Sequence, residues 1–259
     1  MSMQSEPSRG AGVRKVDQVK SIFDKPEWYL KKSYNIRIRK ETVQEVLRGI
    51  ECKLILDIGC GDGSISFPLL CASNRLTLVD LSESMLSVAR SRIPQQLVGN
   101  VEIVNADVLS AHLRAQGYDL ILCLGVLAHV DSPAATIDEL MRLLKPGGFI
   151  IVENTDCRHP ISHMMRTYDS IRCLIRPEKY SRNRIATAEV VDRFVGHGCR
   201  LLATYRYSLL LPGMHKILSY SALYRVIRFI YGAYPYCRLS WLGNECIHLF
   251  RCSAAREAG

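Results

Sequence analysis

Three glycines stand at alternate positions in the stretch LDIGCGDGSIS (56–66), directly after an apolar run that contains an aspartate. Gly59, Gly61 and Gly63 fall where a buried strand would turn into a helix, and open α/β sheets bind their ligands at such strand ends. Glycine permits positive φ there and lets backbone N–H groups approach a ligand that any Cβ would hold away. The stretch therefore predicts a ligand-binding turn with the Asp57 carboxylate beside it.

The spacing and the aspartate indicate which ligand this turn suits. A dinucleotide site requires G-x-G-x-x-G, whereas G-C-G-D-G-S breaks that pattern at the third glycine. Asp57 would repel a pyrophosphate, but it would attract a ligand that carries an ammonium and a sulfonium group, as S-adenosylmethionine does. We therefore expect S-adenosylmethionine as the cofactor.

Two further acids follow the next two predicted strands. Asp80 ends LTLVD, where a carboxylate can accept hydrogen bonds from ribose hydroxyls. Asp107 in NADVL can take the adenine amino group, with the Val108 N–H facing a ring nitrogen. Each acid alone could be a strand-end cap. Three acids at successive strand ends favour a binding site instead.

As a set, these motifs resemble the class I S-adenosylmethionine-dependent methyltransferases over residues 50–155. LDIGCGDG is similar to the family's glycine motif, VDLSESML to its ribose-binding acid, NADVL to its adenine site, and YDLILCLGVLAHV with LLKPGGFIIVEN to its fourth and fifth strands. The resemblance implies that Met85 packs on the ribose or adenine and that Leu124 and Gly125 line the methionine side. The expected cofactor-binding residues are Asp57, Gly59, Cys60, Gly61, Asp80, Leu81, Met85, Ala106, Asp107, Val108, Leu124 and Gly125.

Apolar runs that alternate with helical patterns predict the elements that position these residues, as is typical of an α/β fold. We expect a Rossmann-like, seven-stranded, mostly parallel sheet with helices on both faces and the last strand antiparallel. The strands are predicted at 53–58, 76–80, 101–106, 118–125, 148–154, 199–208 and 245–252. Helices are predicted at 82–93, at 132–148 with Lys-Pro-Gly-Gly as its close, and at 187–197.

The rest of the chain predicts a tail, an arm and two covers. The polar N-terminus resembles a disordered tail rather than a signal peptide. The arm is expected to form two helices that fold over the cofactor as a lid, with Tyr29 or Tyr34 capping the methionine end. The expected boundaries are 1–14 for the tail, 15–50 for the arm and 51–259 for the methyltransferase domain, with helical cover insertions at about 156–186 and 211–238.

The charge and the cysteine content indicate possible partners and a cellular location for the protein. The formal net charge is +9, and residues 160–259 supply all of it with 15 basic and 6 acidic side chains. This half could face a phosphate, a nucleic acid or an anionic membrane, or simply water. The ten cysteines include no C-x-x-C pair, so neither a metal site nor a disulfide framework is expected. A cytoplasmic location follows, at the membrane periphery if the basic half binds lipid.

A hydroxyl acceptor would need a base to remove its proton, and it should lie over the ends of the fourth and fifth strands. The candidate bases are His129, His159 and His163, and Glu153 and Asp156 border the same region. Each histidine could equally be a packed or capping residue.

The absence of two motifs narrows the range of possible methyl acceptors. Amino-group nucleic-acid methyltransferases carry an Asn/Asp-Pro-Pro-aromatic turn where this chain has LGVLAH, and no acid ends the fourth strand to support a catechol-type metal. We therefore expect no metal and no DNA partner. ENTDCRHPISHMM is loosely similar to ubiquinone-pathway O-methyltransferases, and this favours a small acceptor with a hydrophobic or lipid tail.

The 213–233 segment predicts a helix with two different sides. Its apolar side could lie on a membrane interface, close over a greasy substrate, or pack on its own domain. Tyr220, Leu223, Tyr224, Ile227 and Tyr231 share the apolar side, and Ser221, Arg225 and Arg228 share the polar side.

The leading interpretation is methyl transfer from S-adenosylmethionine to a small-molecule hydroxyl. Carbon or nitrogen methylation of a small molecule remains an alternative. An RNA or protein methyltransferase has only the basic half in its favour, so RNA is a weaker candidate. A cofactor-binding regulatory subunit without turnover is the non-enzymatic alternative, because fold does not prove function. The oligomeric state is left open.

Overall fold

A computed structural model describes residues 19–20, 24, 33–175, 182–209, 214 and 218–253. Seven strands form one sheet in the order β3-β2-β1-β4-β5-β7-β6. β7 runs antiparallel to both β5 and β6, and the pairings among β1 to β5 are parallel. The strands are β1 (Leu54–Ile58), β2 (Arg75–Asp80), β3 (Val101–Asn105), β4 (Tyr118–Cys123), β5 (Leu144–Thr155), β6 (Cys199–Tyr207) and β7 (Glu245–Cys252). The predicted Rossmann-like sheet is confirmed.

Helices cover both faces of this sheet. Neighbouring residues of β1 and β4 point to opposite sides and fill two separate cores. One core is completed by α1, α2 and α6, and the other by α3 and α5. The helices described are α1 (Ser33–Val46), α2 (Glu83–Arg92), α3 (Pro133–Leu143), α4 (Pro160–Ile175), α5 (Thr187–Gly196) and α6 (Tyr220–Tyr231).

Serine caps set where three of these helices begin. The side chains of Ser82, Ser132 and Ser219 each accept a hydrogen bond from the backbone N–H three residues later. The Ser82 cap begins α2 directly after the end of β2. The carboxyl end of β2 and the start of α2 are thereby held together.

The predicted 132–148 helix is too long. α3 ends at Leu143, and the next residue already pairs with Tyr118 as the first residue of β5. Proline disfavours helical geometry in the residue before it, and Gly147 adopts φ +81°. The Lys-Pro-Gly-Gly sequence therefore forms an irregular entry into β5, and the pairing register shifts there.

The arm and the second cover pack on each other. Of the arm's two predicted helices, α1 is the second, and the first falls mainly outside the described residues, as does the 1–14 tail. Leu223, Ile227 and Tyr231 of α6 are buried against the domain. Among the described residues, no helix is long and apolar enough to cross a membrane.

Two expectations need correction. The sequence pattern placed Arg228 on a solvated basic side, but its guanidinium is 2.8 Å from Glu41 and 2.9 Å from Glu45 and only 12% of the side chain is exposed. The pattern could not show that α1 would cover that side.

In addition, Cys199 and Cys252 form a disulfide between β6 and β7. A bond across 53 residues has no spacing signature in the sequence.

Candidate active site

The glycine turn wraps over the end of β2. Gly59, Gly61 and Gly63 all have positive φ, at +64°, +55° and +72°. The Gly59 N–H donates to the Val79 carbonyl at 2.8 Å, and a Cβ on Gly59 would collide with the side chain of Val126. This turn needs glycine for both its conformation and its close packing.

Asp80 is held by the turn that it faces. Its carboxylate accepts from the Gly61 N–H at 2.8 Å and from the Ser82 N–H at 2.9 Å. Burial raises its pKa. These two donors fix the carboxylate orientation while each oxygen keeps lone pairs for a further donor. A fixed, partly accessible acceptor is what a ribose diol requires.

Asp57 is a buried carboxylate with an unsatisfied oxygen. Only 3% of the residue is exposed, and Oδ2 has no hydrogen-bond partner among the described residues. Burial raises the pKa of Asp57 to about 7; the nearby Ser66 hydroxyl opposes this rise, and the charges of Asp80 and Asp62 add to it. An unpaired buried oxygen of this kind is costly, and a cationic ligand group would offset that cost. The residues present thus fit a cofactor with an ammonium group.

The next two strand ends complete this half of the site. Asn105 at the end of β3 donates to the Asp80 and Leu81 carbonyls at 2.9 and 3.0 Å, which joins the two strand ends. Asp107 caps its own turn, since Oδ1 accepts from the Leu109 N–H at 2.9 Å. Met85 and Val108 are buried, and Leu81 and Ala106 are partly exposed. Sequence reasoning missed Asn105, although it immediately precedes the NADVL acid motif.

The residues after β4 that are expected to line the methionine side of the cofactor site lie against α1 of the arm. Leu124 is buried and Gly125 adopts φ +74°. A Cβ at Gly125 would lie 3.0 Å from the Arg39 guanidinium of α1. That guanidinium is 2.7 Å from Glu153 Oε2 on β5, with 12% and 2% of the two side chains exposed. A nearly buried ion pair therefore lies next to the expected methionine end.

A larger polar cluster surrounds this ion pair. The Tyr207 hydroxyl is 2.9 Å from Glu153 Oε1 and 2.8 Å from Asn35 Oδ1. Burial, with the Glu153 charge, raises the pKa of Glu245 to about 7. Tyr34 stacks on Tyr220 with ring centroids 6.0 Å apart. The cluster joins α1 to β5, β6 and β7.

The three candidate histidines are in different environments. His129 is partly buried in the turn after β4, and Asn183 pins this turn by donating to the Leu127 and Val130 carbonyls at 3.0 and 2.6 Å. His159 uses both ring nitrogens, because Nε2 is 3.0 Å from the Trp241 carbonyl and Nδ1 accepts from the Ile161 N–H. This geometry makes it a structural residue at the start of α4.

His163 is exposed on α4 and contacts Arg166. Tyr29 lies outside the described residues. Asp24 of the arm is described, and Ser82 donates to its carboxylate at 3.0 Å. Part of the arm thus reaches the cofactor end. Within the described part of the chain, no group of three His, Cys, Asp or Glu side chains is arranged to hold a metal ion.

Comparisons with known proteins agree with this geometry. Residues 56–152 match the family described as Methyltransferase domain. A ubiquinone biosynthesis O-methyltransferase from Hydrogenovibrio crunogenus is 33% identical over 114 residues, which are 44% of this chain and 46% of that protein. The aligned part spans about half the length of the curated relatives it matches.

Two solved structures share the fold at low identity. Magnesium protoporphyrin IX methyltransferase from Synechocystis, crystallised with bound S-adenosylmethionine, superposes with a TM-score of 0.62 at 16% identity, covering 95% of this chain and 100% of that one. The [4+2]-cyclase SpnF superposes with a TM-score of 0.61 at 15% identity, covering 92% and 96%. The fold is therefore shared by proteins with different reactions.

Residues 56–152 thus match a methyltransferase domain, and the sheet order and the strand-end carboxylates agree with a class I S-adenosylmethionine-dependent methyltransferase. The cofactor of this class is S-adenosylmethionine, and the glycine turn with its unsatisfied Asp57 oxygen has the chemistry to receive it.

Proposed function

We propose that this protein transfers the methyl group of S-adenosylmethionine to a hydroxyl of a small molecule with a hydrophobic or lipid tail. The observation that carries the cofactor part of the proposal is the buried Asp57 carboxylate beside the glycine turn, because an ionised Asp57 would pair with a cationic ligand group. The cofactor supplies an electrophilic methyl group when bound. Asp57 would hold its ammonium group, Asp80 its ribose, and Asp107 with Val108 its adenine.

The acceptor end supports a hydroxyl acceptor. Methyl transfer to oxygen requires loss of the hydroxyl proton, so a base must lie near the methionine side. His129 follows β4, and Glu153 lies beside Gly125 through its contact with Arg39. Tyr34 and Tyr220 could wall an aromatic acceptor. The matched ubiquinone biosynthesis O-methyltransferases favour oxygen as the nucleophile.

Other reactions remain alternatives with less support. Carbon or nitrogen methylation would use the same cofactor half and would need no hydroxyl proton acceptor. The cyclase with this fold shows why binding of the cofactor alone would not establish methyl transfer. An RNA or protein acceptor would rest only on the basic C-terminal half.

Calorimetric titration with S-adenosylmethionine and S-adenosylhomocysteine tests the cofactor site. The intact protein should bind both, and Asp80→Ala should weaken binding at least about tenfold, because it removes the ribose acceptor. Asp192→Ala changes an exposed carboxylate on α5 and should leave affinity unchanged. No binding by the intact protein would contradict the proposal. If the protein binds the cofactor, methyl incorporation into phenolic isoprenoid acceptors, rather than into simple amines, would support methyl transfer to oxygen.

A further inference from the structure

Four large apolar side chains are exposed on one small part of the surface, here called the aromatic patch. Phe229, Tyr236, Leu239 and Trp241 are 74%, 84%, 45% and 68% exposed. They lie at the C-terminal end of α6 and on the segment that follows it. Contiguous exposed apolar groups usually mark an interaction surface.

Backbone hydrogen bonds hold the segment after α6 against the end of that helix. After α6 the chain folds back, so the Arg238 N–H donates to the Tyr231 carbonyl at 3.0 Å and the Leu239 N–H donates to the Ile230 carbonyl at 3.3 Å. Gly232 makes the turn with φ +75°, and any Cβ there would collide with the Tyr236 carbonyl. The patch is therefore a defined turn that faces outward, while the apolar face of α6 packs inward.

The surroundings of the patch are cationic. Arg225 is exposed one helical turn before Phe229, and the guanidinium of the exposed Arg238 lies 5.8 Å from the Phe229 ring centroid. The acids lining the adjoining surface groove are Glu41 and Glu45 of α1, and both are paired with Arg228.

We propose that the aromatic patch docks this protein on an anionic membrane surface. Tryptophan and tyrosine favour the headgroup region of a bilayer, and arginines beside them attract anionic lipid phosphates. Phe229 and Leu239 carry no polar group and would insert below that level. An RNA-binding surface would instead be expected to place most of its exposed groups as phosphate-contacting cations.

The patch also adjoins the acceptor end of the candidate site. Gly243 packs against the backbone of Tyr207, whose hydroxyl contacts Glu153, and the Trp241 carbonyl contacts His159. Docking would therefore place the acceptor end near the bilayer, where a lipid-tailed acceptor is dissolved. This consequence rests on the proposed function, whereas the docking proposal does not.

Vesicle flotation of the full chain tests the proposal. Vesicles made from equal parts phosphatidylcholine and phosphatidylglycerol should bind the protein, and phosphatidylcholine vesicles should bind it much more weakly. Arg225→Gln with Arg238→Gln should lower affinity for the anionic vesicles by about 25-fold, because each arginine near the surface contributes roughly fivefold. Phe229→Ser with Trp241→Ser should lower affinity for the same vesicles at least as much.

Matched controls come from exposed residues elsewhere. Arg75→Gln with Arg114→Gln removes the same charge, and Leu109→Ser with Val195→Ser removes exposed apolar groups. Both controls should bind vesicles normally, and thermal melting should show that all variants are folded. Equal binding to neutral and anionic vesicles, or no effect of the patch variants, would overturn the proposal. The proposal would also be overturned if the protein bound a single-stranded RNA oligonucleotide but not vesicles, and if that RNA binding were salt-sensitive and required the patch.

Discussion

The two halves of the candidate site are built in different ways. The cofactor half uses backbone groups and short local turns after β1, β2 and β3, so Asp80 is fixed by N–H groups of Gly61 and Ser82. The acceptor half uses side chains from distant elements, such as Asn35 and Tyr207, which are 172 positions apart. A site built from neighbouring residues suits a ligand that stays the same. A site built from residues far apart in the sequence can differ among proteins that share the fold.

The halves also differ in how they treat charge. In the cofactor half, Asp57 is buried with an oxygen that has no partner in the described structure. In the acceptor half, Arg39 and Glu153 neutralise each other at 2.7 Å. We therefore expect the Asp57 carboxylate to attract a cation, whereas in the acceptor half the Arg39 cation already offsets the charge of Glu153.

The largest effect should come from breaking the balanced pair. Glu153→Gln removes the negative charge beside the nearly buried Arg39 while keeping the side-chain size, so the free energy of unfolding should fall by about 3 kcal/mol. Urea denaturation measures this. Replacing the exposed Glu189, which pairs with Arg158, by glutamine should change stability by less than about 0.5 kcal/mol.

A double variant separates charge from packing in that experiment. Arg39→Met combined with Glu153→Gln removes both charges and should recover much of the lost stability, as for other buried pairs. If Glu153→Gln is as stable as the original protein, the acceptor half is not held by this pair and the contrast between the halves fails.

The signals that predict the cofactor half are local in the sequence. Asp57, Asp80 and Asp107 each follow or end an apolar run, and parallel strands bring their carboxyl ends to one edge of the sheet. The glycine turn could be located from three residues of one type. The same reasoning also gave the seven strands, since buried parallel strands are continuous apolar runs.

The acceptor half could not be assembled from the sequence. Helical periodicity shows that Arg228 is on a polar side, but it does not show which other element covers that side. Tyr207 and Glu153 are 54 positions apart on β6 and β5, and β7 lies between these strands. Their contact depends on strand order, which no local pattern specifies. For the same reason, His159 was a candidate base although the fold uses it as a cap.

A smaller effect is expected from a change in the glycine turn. Gly59→Ala forces a Cβ against Val126 in a residue with φ +64°, so the turn must shift away from its ligand-binding geometry. Affinity for S-adenosylhomocysteine, measured by calorimetry, should fall about a hundredfold. Gly196→Ala is the matched control, since a Cβ at this helical position meets nothing within 4 Å. Unchanged affinity in Gly59→Ala would show that the turn does not form the cofactor site.

The smallest effect is a pH dependence that distinguishes the halves. Both Asp57 and Glu245 have pKa values raised to about 7, mainly because they are buried. The folded state therefore favours their protonated forms, and their contribution to stability is present below about pH 4 and is lost as pH rises to about 7. Asp57→Asn and Glu245→Gln should each flatten part of this decline, measured by urea denaturation across that range.

Cofactor affinity should respond to only one of these two acids. A cationic ligand group prefers ionised Asp57, so affinity for S-adenosylmethionine should be about tenfold weaker at about pH 6 than at about pH 8. Asp57→Asn should bind weakly at both values, whereas Glu245→Gln should keep the full pH dependence because Glu245 lies in the acceptor half. If Glu245→Gln removed the dependence instead, the ammonium group would have to bind in the acceptor half, and the assignment of the two halves would be reversed.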